Sequence, residues 1–231
     1  MKPAFTFFVF LSAVATLHAA PAEILFDGSN LNAFEYREGG WVIEDGAMTC
    51  RMEETKDKKG RKRVSGMGYI WTKKDYSDFE LAFSYRLSEA ANSGVFYRTD
   101  KDNPVQGGFE IQLMDDAGYA KKLGHEMDGR KRNGSFYEGK APSSYPAKAP
   151  GEWNTMVLTC KGPSIKVRIN GVEVIDVNVD DWNTAGKNPD GSVNKFKTAL
   201  KDLPRTGKIG FQNHGQVVWF KDVTIRNLAR K

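Results

Sequence analysis

Two cysteines in 231 residues are too few for a disulfide framework, and no Cys-x-x-Cys pair exists to hold a metal. Cys50 and Cys160 lie near the ends of expected strands. They read as buried free thiols, with a bridge between them the less favoured alternative. A charge excess of one sign is also missing. The 34 Lys and Arg stand against 29 Asp and Glu, a formal net charge of +5, and the two signs are interspersed. The one basic cluster, Lys56 to Arg63, is broken by Asp57 and Gly60 and reads as a solvated loop. No zinc-finger or RNA-stacking motif accompanies it, so nucleic acid is not expected as a partner.

Long apolar runs are absent except near the start. Phe5 to Leu17 falls short of the roughly 20 residues a membrane span needs. Lys2 precedes the run and Ala19-Ala20-Pro21 follows it. Residues 1–20 therefore read as a secretory signal peptide, cut after Ala19 or Ala20. The mature chain is expected to be exported, periplasmic or extracellular, with no membrane span. No cysteine sits at the cleavage site to carry a lipid.

Helical periodicity is scarce. Only Val193 to Leu203, with Phe196, Leu200 and Leu203 on one side, reads as a short helix. Strands with turn punctuation fill most of the rest. Phe79 to Leu87 alternates cleanly. Asp45-Gly46 and Asn170-Gly171 each mark a tight hairpin. The fold class that follows is all-β, an antiparallel sandwich or jelly roll, in one domain over residues 22–231. Met114 to Gly151 and Asp180 to Pro204 read as long irregular insertions, and such loops often carry function. The first holds Tyr119, His125, Tyr137 and Tyr145, the second Trp182.

The candidate site centres on two strands. Asn92-Ser93-Gly94-Val95-Phe96-Tyr97-Arg98 and Gly108-Phe109-Glu110-Ile111-Gln112-Leu113-Met114-Asp115 are joined by a short loop, as in a hairpin. Residues two apart share a face. Glu110 and Gln112 therefore point one way, with Ile111 and Leu113 pointing the other. Phe96 and Arg98 would share a face and could meet Glu110 and Gln112. Such a face suits a sugar. A solvated outer face with a cross-strand Arg98–Glu110 ion pair accounts for the same pattern.

Several segments together resemble one family. They are Leu25-Phe26-Asp27-Gly28-Ser29-Asn30-Leu31, Asp78-Phe79-Glu80-Leu81, the Asn92 to Arg98 element, Glu110 to Asp115, Gly151-Glu152-Trp153-Asn154, Asn170-Gly171, Gly207 to Gly215 and Trp219 to Ile225. Their ordered combination resembles the 3-keto-disaccharide hydrolase domain family. Asp27 replaces the common Asn, and Lys221-Asp222 replaces Arg-Asn. The resemblance implies a concanavalin-like jelly roll. It also implies an exported enzyme acting on sugars oxidised at C3 of a glucosyl ring. A ketone there acidifies the C2 proton, the C1 leaving group departs by β-elimination, and water adds to the enone.

On this reading His214 is the first candidate for proton transfer, since its pKa lies near neutrality. Glu110 is base, orienter or ligand. Arg98 would stabilise the enolate oxygen. Asn92, Gln112 and Gln212 would bind hydroxyls, with Phe96 and Asp115 beside them and His125 and Tyr137 as further binding groups. Glu110, Asp115, His125 and His214 could supply donors to a divalent metal, but no spacing fixes such a site and no cofactor is assigned. Two other classes stay open. One is a non-catalytic glycan-binding module on the same sandwich. The other is a laminarinase-type glycoside hydrolase, which needs a second carboxylate where Gln112 stands.

Overall fold

The structure, a computed structural model, describes residues 21–228, so the signal-peptide reading of residues 1–20 lies outside the described residues. Strands follow one another almost without interruption. They are β1 (Glu23–Phe26), β2 (Phe34–Tyr36), β3 (Trp41–Glu44), β4 (Ala47–Cys50), β5 (Met52–Lys56), β6 (Lys62–Gly66), β7 (Ile70–Thr72), β8 (Phe79–Leu87), β9 (Asn92–Thr99) and β10 (Phe109–Met114). A helix, α1 (Asp116–Leu123), comes next. The strands β11 (Asn154–Lys161), β12 (Ser164–Ile169), β13 (Val172–Asn178), β14 (Lys208–Phe211) and β15 (Val218–Asn227) complete the order.

Local chemistry explains the hairpins. Asp45-Gly46 and Asn170-Gly171 take positive φ at both positions (49° and 73°, 50° and 83°). That backbone matches the twist of the flanking strands, and Asn, Asp and Gly tolerate it best. On β8, Phe79, Leu81, Phe83, Tyr85 and Leu87 are buried while the residues between them are half-buried.

Two antiparallel sheets pack face to face, forming a jelly-roll sandwich. The larger runs β13-β12-β11-β8-β15-β4-β3, with β1 also on β15; the smaller runs β10-β9-β14-β7-β2. Their inner faces meet in a dense apolar core. Phe211 of β14 lies 4.6 Å from Phe220 of β15 and 5.4 Å from Phe83 of β8, ring centre to ring centre. Truncating one such ring typically costs about 3–5 kcal/mol. Cys50 and Cys160 are buried free thiols. The face of the smaller sheet turned away from this core carries Glu110 and Gln112.

The basic cluster is a solvated turn, the exposed tip of a hairpin, β5–β6, where Asp57 pairs with Arg61 and Arg63. Two sequence expectations need correction. Residues 193–203 form no helix beyond the single 3₁₀ turn Leu200–Asp202. There the Asn194 side chain accepts from the Phe196 amide, the local competition that disfavours helix. The first insertion is not irregular, for it holds α1. Residues 135–137 also lie along β10: the Gln112 amide donates to Ser135 O (3.1 Å) and the Tyr137 amide to Glu110 O (3.0 Å). This covers what would otherwise be an open sheet edge.

Candidate active site

On β10 the alternation sends Ile111 and Leu113 into the core and Glu110 and Gln112 outward. The outward pair forms the floor of a cleft of about 590 Å³, also lined by Tyr69, Asn92, Tyr119, His125, Tyr137, Lys195, Gln212 and His214. That volume suits a small-molecule site, for which about 300–1,000 Å³ is usual. A larger cavity of about 800 Å³ lies beside Arg86, Glu89, Asp115 and Trp219. Its buried carboxylate, Asp115, already has partners, so the smaller cleft is the candidate site.

Glu110 is only 8 % exposed. Gln212 Nε2 donates to its Oε1 at 3.2 Å. Burial pushes the carboxyl up to about 7, against the opposing pull of Lys195 and the Gln212 hydrogen bond. Room for it comes from Gly94 on β9, because a Cβ there would lie 2.2 Å from Glu110 Oε1. Beside it, Gln112 Nε2 donates to Asn92 Oδ1 at 2.7 Å.

His214 stands in the turn after β14. Asn213 pins that turn, its Oδ1 accepting from the Gly215 amide (2.8 Å) and its Nδ2 donating to Gln216 O (3.0 Å). The imidazole is open to the cleft, but the protein on its other sides, and then the Lys195 charge, hold its pKa below the usual value. Lys195 Nζ sits 4.0 Å from the centre of the Tyr137 ring. Burial pulls that ammonium down while Glu110 supports it. Desolvation pushes the Tyr137 phenol up to about 12, so it stays protonated. Asp128, on the rim, is bound by Arg130 and lowered to about 2, with its hydrogen bond from Arg130 as the main cause. It is a fixed anion rather than a proton donor.

The sequence carries a family signature as well as a geometry. The profile of the 3-keto-alpha-glucoside-1,2-lyase-like domain family matches residues 21–226. This chain belongs to that family. A curated relative from Bacteroides thetaiotaomicron, named 3-keto-disaccharide hydrolase, is 26% identical over 88% of this chain and 77% of its own length. A crystal structure from Parabacteroides distasonis, provisionally named a glycosyl hydrolase, is 31% identical with a TM-score of 0.77, covering 90% of this chain and 100% of that one. The Bacillus licheniformis β-glucanase shares the fold alone, at 10% identity and a TM-score of 0.55 over 93% of this chain and 100% of that one.

The structure brings Glu110, Gln112, Asn92, Gln212, His214, His125 and Tyr137 to the family member's cleft. It places three other candidates elsewhere. Arg98 is a correction. Lys208 faces Thr99 and Gly210 faces Phe96, so Tyr97 and Arg98 together oppose Ile209. This is a β-bulge, with Arg98 at φ 47°. The bulge breaks the alternation. The guanidinium is fully buried and donates to Ser77 O (2.7 Å), Gly162 O (2.7 Å) and Asp78 Oδ1 (3.0 Å). Phe96 is also buried, stacked on Trp71 at 5.8 Å and packed under Tyr69 at 5.7 Å. It supports the cleft wall without lining it. Trp182, from the second insertion, is a core residue bonded to Asn188.

Asp115 is the third. It is the N-cap of α1, accepting from the Gly118 amide (3.2 Å) and, at its other oxygen, from the Ala90 amide (2.8 Å). Asp115→Ala is expected to cost about 1–2 kcal/mol of stability in a denaturant titration, the usual loss for a cap. Turnover per folded molecule should hold within a few-fold. A much larger drop in turnover would return Asp115 to the chemistry.

Lys195 and Tyr69 were not singled out from the sequence. Lys195 lies in an aperiodic loop that reaches the cleft through long-range hydrogen bonds between Gln106 and residues 195 and 197. Among the described residues, no cluster of three or more His, Cys, Asp or Glu is placed to hold a metal ion. The proposed donor Asp115 is held outside the cleft by its cap.

Proposed function

We propose that the protein cleaves 3-keto-glucosides by C2 proton abstraction, β-elimination and hydration. One observation carries this reading: a single cleft holds a carboxyl raised to about 7 and an imidazole lowered from its usual value. In water the carboxyl would be ionised and the imidazole largely charged at pH 6. Here the two are pushed towards each other, so an acid and a base coexist near neutrality.

The C3 ketone acidifies the proton on C2. Neutral His214 takes that proton, and the electron pair passes to the C3 oxygen as an enolate. The Lys195 ammonium, a fixed positive charge in the cleft, stabilises the developing oxyanion. As the ketone re-forms, the C1–O bond breaks and Glu110 gives its proton to the leaving oxygen. Water then adds to C1 of the enone, the Glu110 carboxylate taking its proton. The His214 imidazolium, which is open to solvent, exchanges with water and then returns a proton to C2. One water is consumed and both groups are restored.

Ordinary glycoside cleavage asks for two carboxyl groups flanking the bond. The other carboxylate lining the cleft, Asp128, stands on the rim with both oxygens accepting from Arg130, so it is not free to act as nucleophile or base. The apolar leader at residues 5–17 supports action after export. Mass spectrometry of the exported protein should then find an N-terminus at Ala20 or Pro21, and an intact Met1 would oppose it.

The test is direct. Purified protein is mixed with a chromogenic 3-keto-glucoside and with its unoxidised parent. Release from the keto sugar alone is expected. Release from the parent at a similar rate would favour a conventional glycosidase.

A further inference from the structure

Helix α1 buries none of its residues. At eight residues it would be marginal alone. Its capping at Asp115 and Gly124 holds it in place. Tyr119 and Leu123, four residues apart, fall on one side of it, and both line the cleft. Leu123 is 44% exposed although it faces a cavity wall. Met114, at the end of β10, and Met127, just past the helix, line the same cleft. Met114 is itself buried, while Tyr119, Leu123 and Met127 lie outside the hydrophobic core. Leu123 and Met127, with the Tyr119 ring that Lys122 covers on one side, form an apolar wall over Met114, continuous with the candidate active site.

The polar groups near this surface are already engaged. Asp128 is paired with Arg130 at 2.6 Å, and Lys131 with Glu138 at 3.2 Å. His125 Nδ1 lies 2.9 Å from Glu126 O. A second hexose placed here would find few free partners for its hydroxyls, at a desolvation cost. An apolar group would lose nothing and would bury methyl, thioether and ring surface.

Building on the function proposed above, we infer that the leaving group is an apolar ring alcohol, aryl or cycloalkyl, seated on Met114, Tyr119, Leu123 and Met127. Glu110, Gln112 and Met114 alternate along one face of β10, so Glu110 and Met114 are about 13 Å apart. That length takes a hexose over Glu110 and Gln112 and one further ring over Met114 and α1. The relative named 3-keto-disaccharide hydrolase points to a sugar in that second position. This chain's side chains point to an apolar one.

The experiment compares kcat/KM of the full protein on three 3-keto-glucosides: methyl, cyclohexylmethyl and a 3-keto-disaccharide. Cyclohexylmethanol is a poorer leaving group than a sugar hydroxyl, so preference for it cannot come from leaving-group acidity. A cyclohexylmethyl-to-methyl ratio of about ten or more is expected, as apolar pockets discriminate on that scale. The double variant Leu123→Gln/Met127→Gln should bring that ratio down about ten-fold. A preference for the disaccharide, or a ratio that the double variant leaves unmoved, overturns the inference while the keto-glucoside activity stands. If no keto sugar is cleaved, the function itself has failed. Calorimetry with unoxidised cyclohexylmethyl glucoside and cellobiose then still decides the subsite. Tighter binding of the former, weakened in the double variant, supports the inference, and equal binding overturns it.

Discussion

Glu110→Gln is expected to lower kcat/KM on a 3-keto-glucoside by roughly 10³-fold, in the range usual for losing a positioned proton donor, and at the same time to stabilise the fold above neutral pH. Both effects come from one cause. The carboxyl is buried with a single side-chain hydrogen bond, and burial raises it from an ordinary 4.5 to about 7. Between those values the native protein holds a proton that the unfolded chain has released. Stability therefore falls as pH rises from about 4.5 to 7 and then levels off. A glutamine carries no such penalty. Thermal melts should show the variant and parent close together near pH 4.5, with the variant ahead by up to about 3 kcal/mol at pH 8.5. The parent's activity should decline above about pH 7 as Glu110 ionises. Equal melting temperatures at both pH values would contradict the burial of an uncompensated carboxyl. Undiminished turnover would remove Glu110 from the chemistry.

Arg98→Ala is expected to cost about 3–5 kcal/mol of stability, because it removes one partner of a buried charged network. The carbonyls of Ser77 and Gly162 would lose their donor, and Asp78 would keep only the Gly162 amide. For a domain of this size that is a fall in melting temperature of roughly 10 °C or more. Arg98→Lys should rescue little, since one ammonium cannot reproduce the three-way fork. Turnover per folded molecule, measured well below the melting point, should stay within a few-fold. A stable Arg98→Ala protein with turnover lost would reverse this and place the guanidinium in the reaction.

The contrast between Glu110 and Arg98 shows what the sequence could convey. Period-two alternation placed Glu110 and Gln112 correctly, because β10 is regular and one of its faces is the core. The same rule failed at Arg98, because a bulge adds a residue on β9 and turns the side chain over. A bulge leaves no trace in alternation unless glycine marks it. Hairpins were legible from Asp45-Gly46 and Asn170-Gly171 because their backbone demands those residues. Helix α1 was not, since it buries nothing and so has no apolar stripe facing a core. Gly118 in its interior weakens the pattern further, and Asp115, at the end of the strand pattern, turns out of the strand to cap it. Lys195 was invisible for another reason: contacts some ninety residues distant in sequence bring it to the cleft.

The most direct measurement compares a 3-keto-glucoside carrying deuterium at C2 with its unlabelled form and with the unoxidised parent. The mechanism predicts no release from the parent and slower release from the deuterated keto sugar. It also predicts deuterium from heavy water at C2 of the product when unlabelled substrate is used. Release from the parent, or a keto-sugar product that keeps its original C2 hydrogen, would contradict cleavage by elimination.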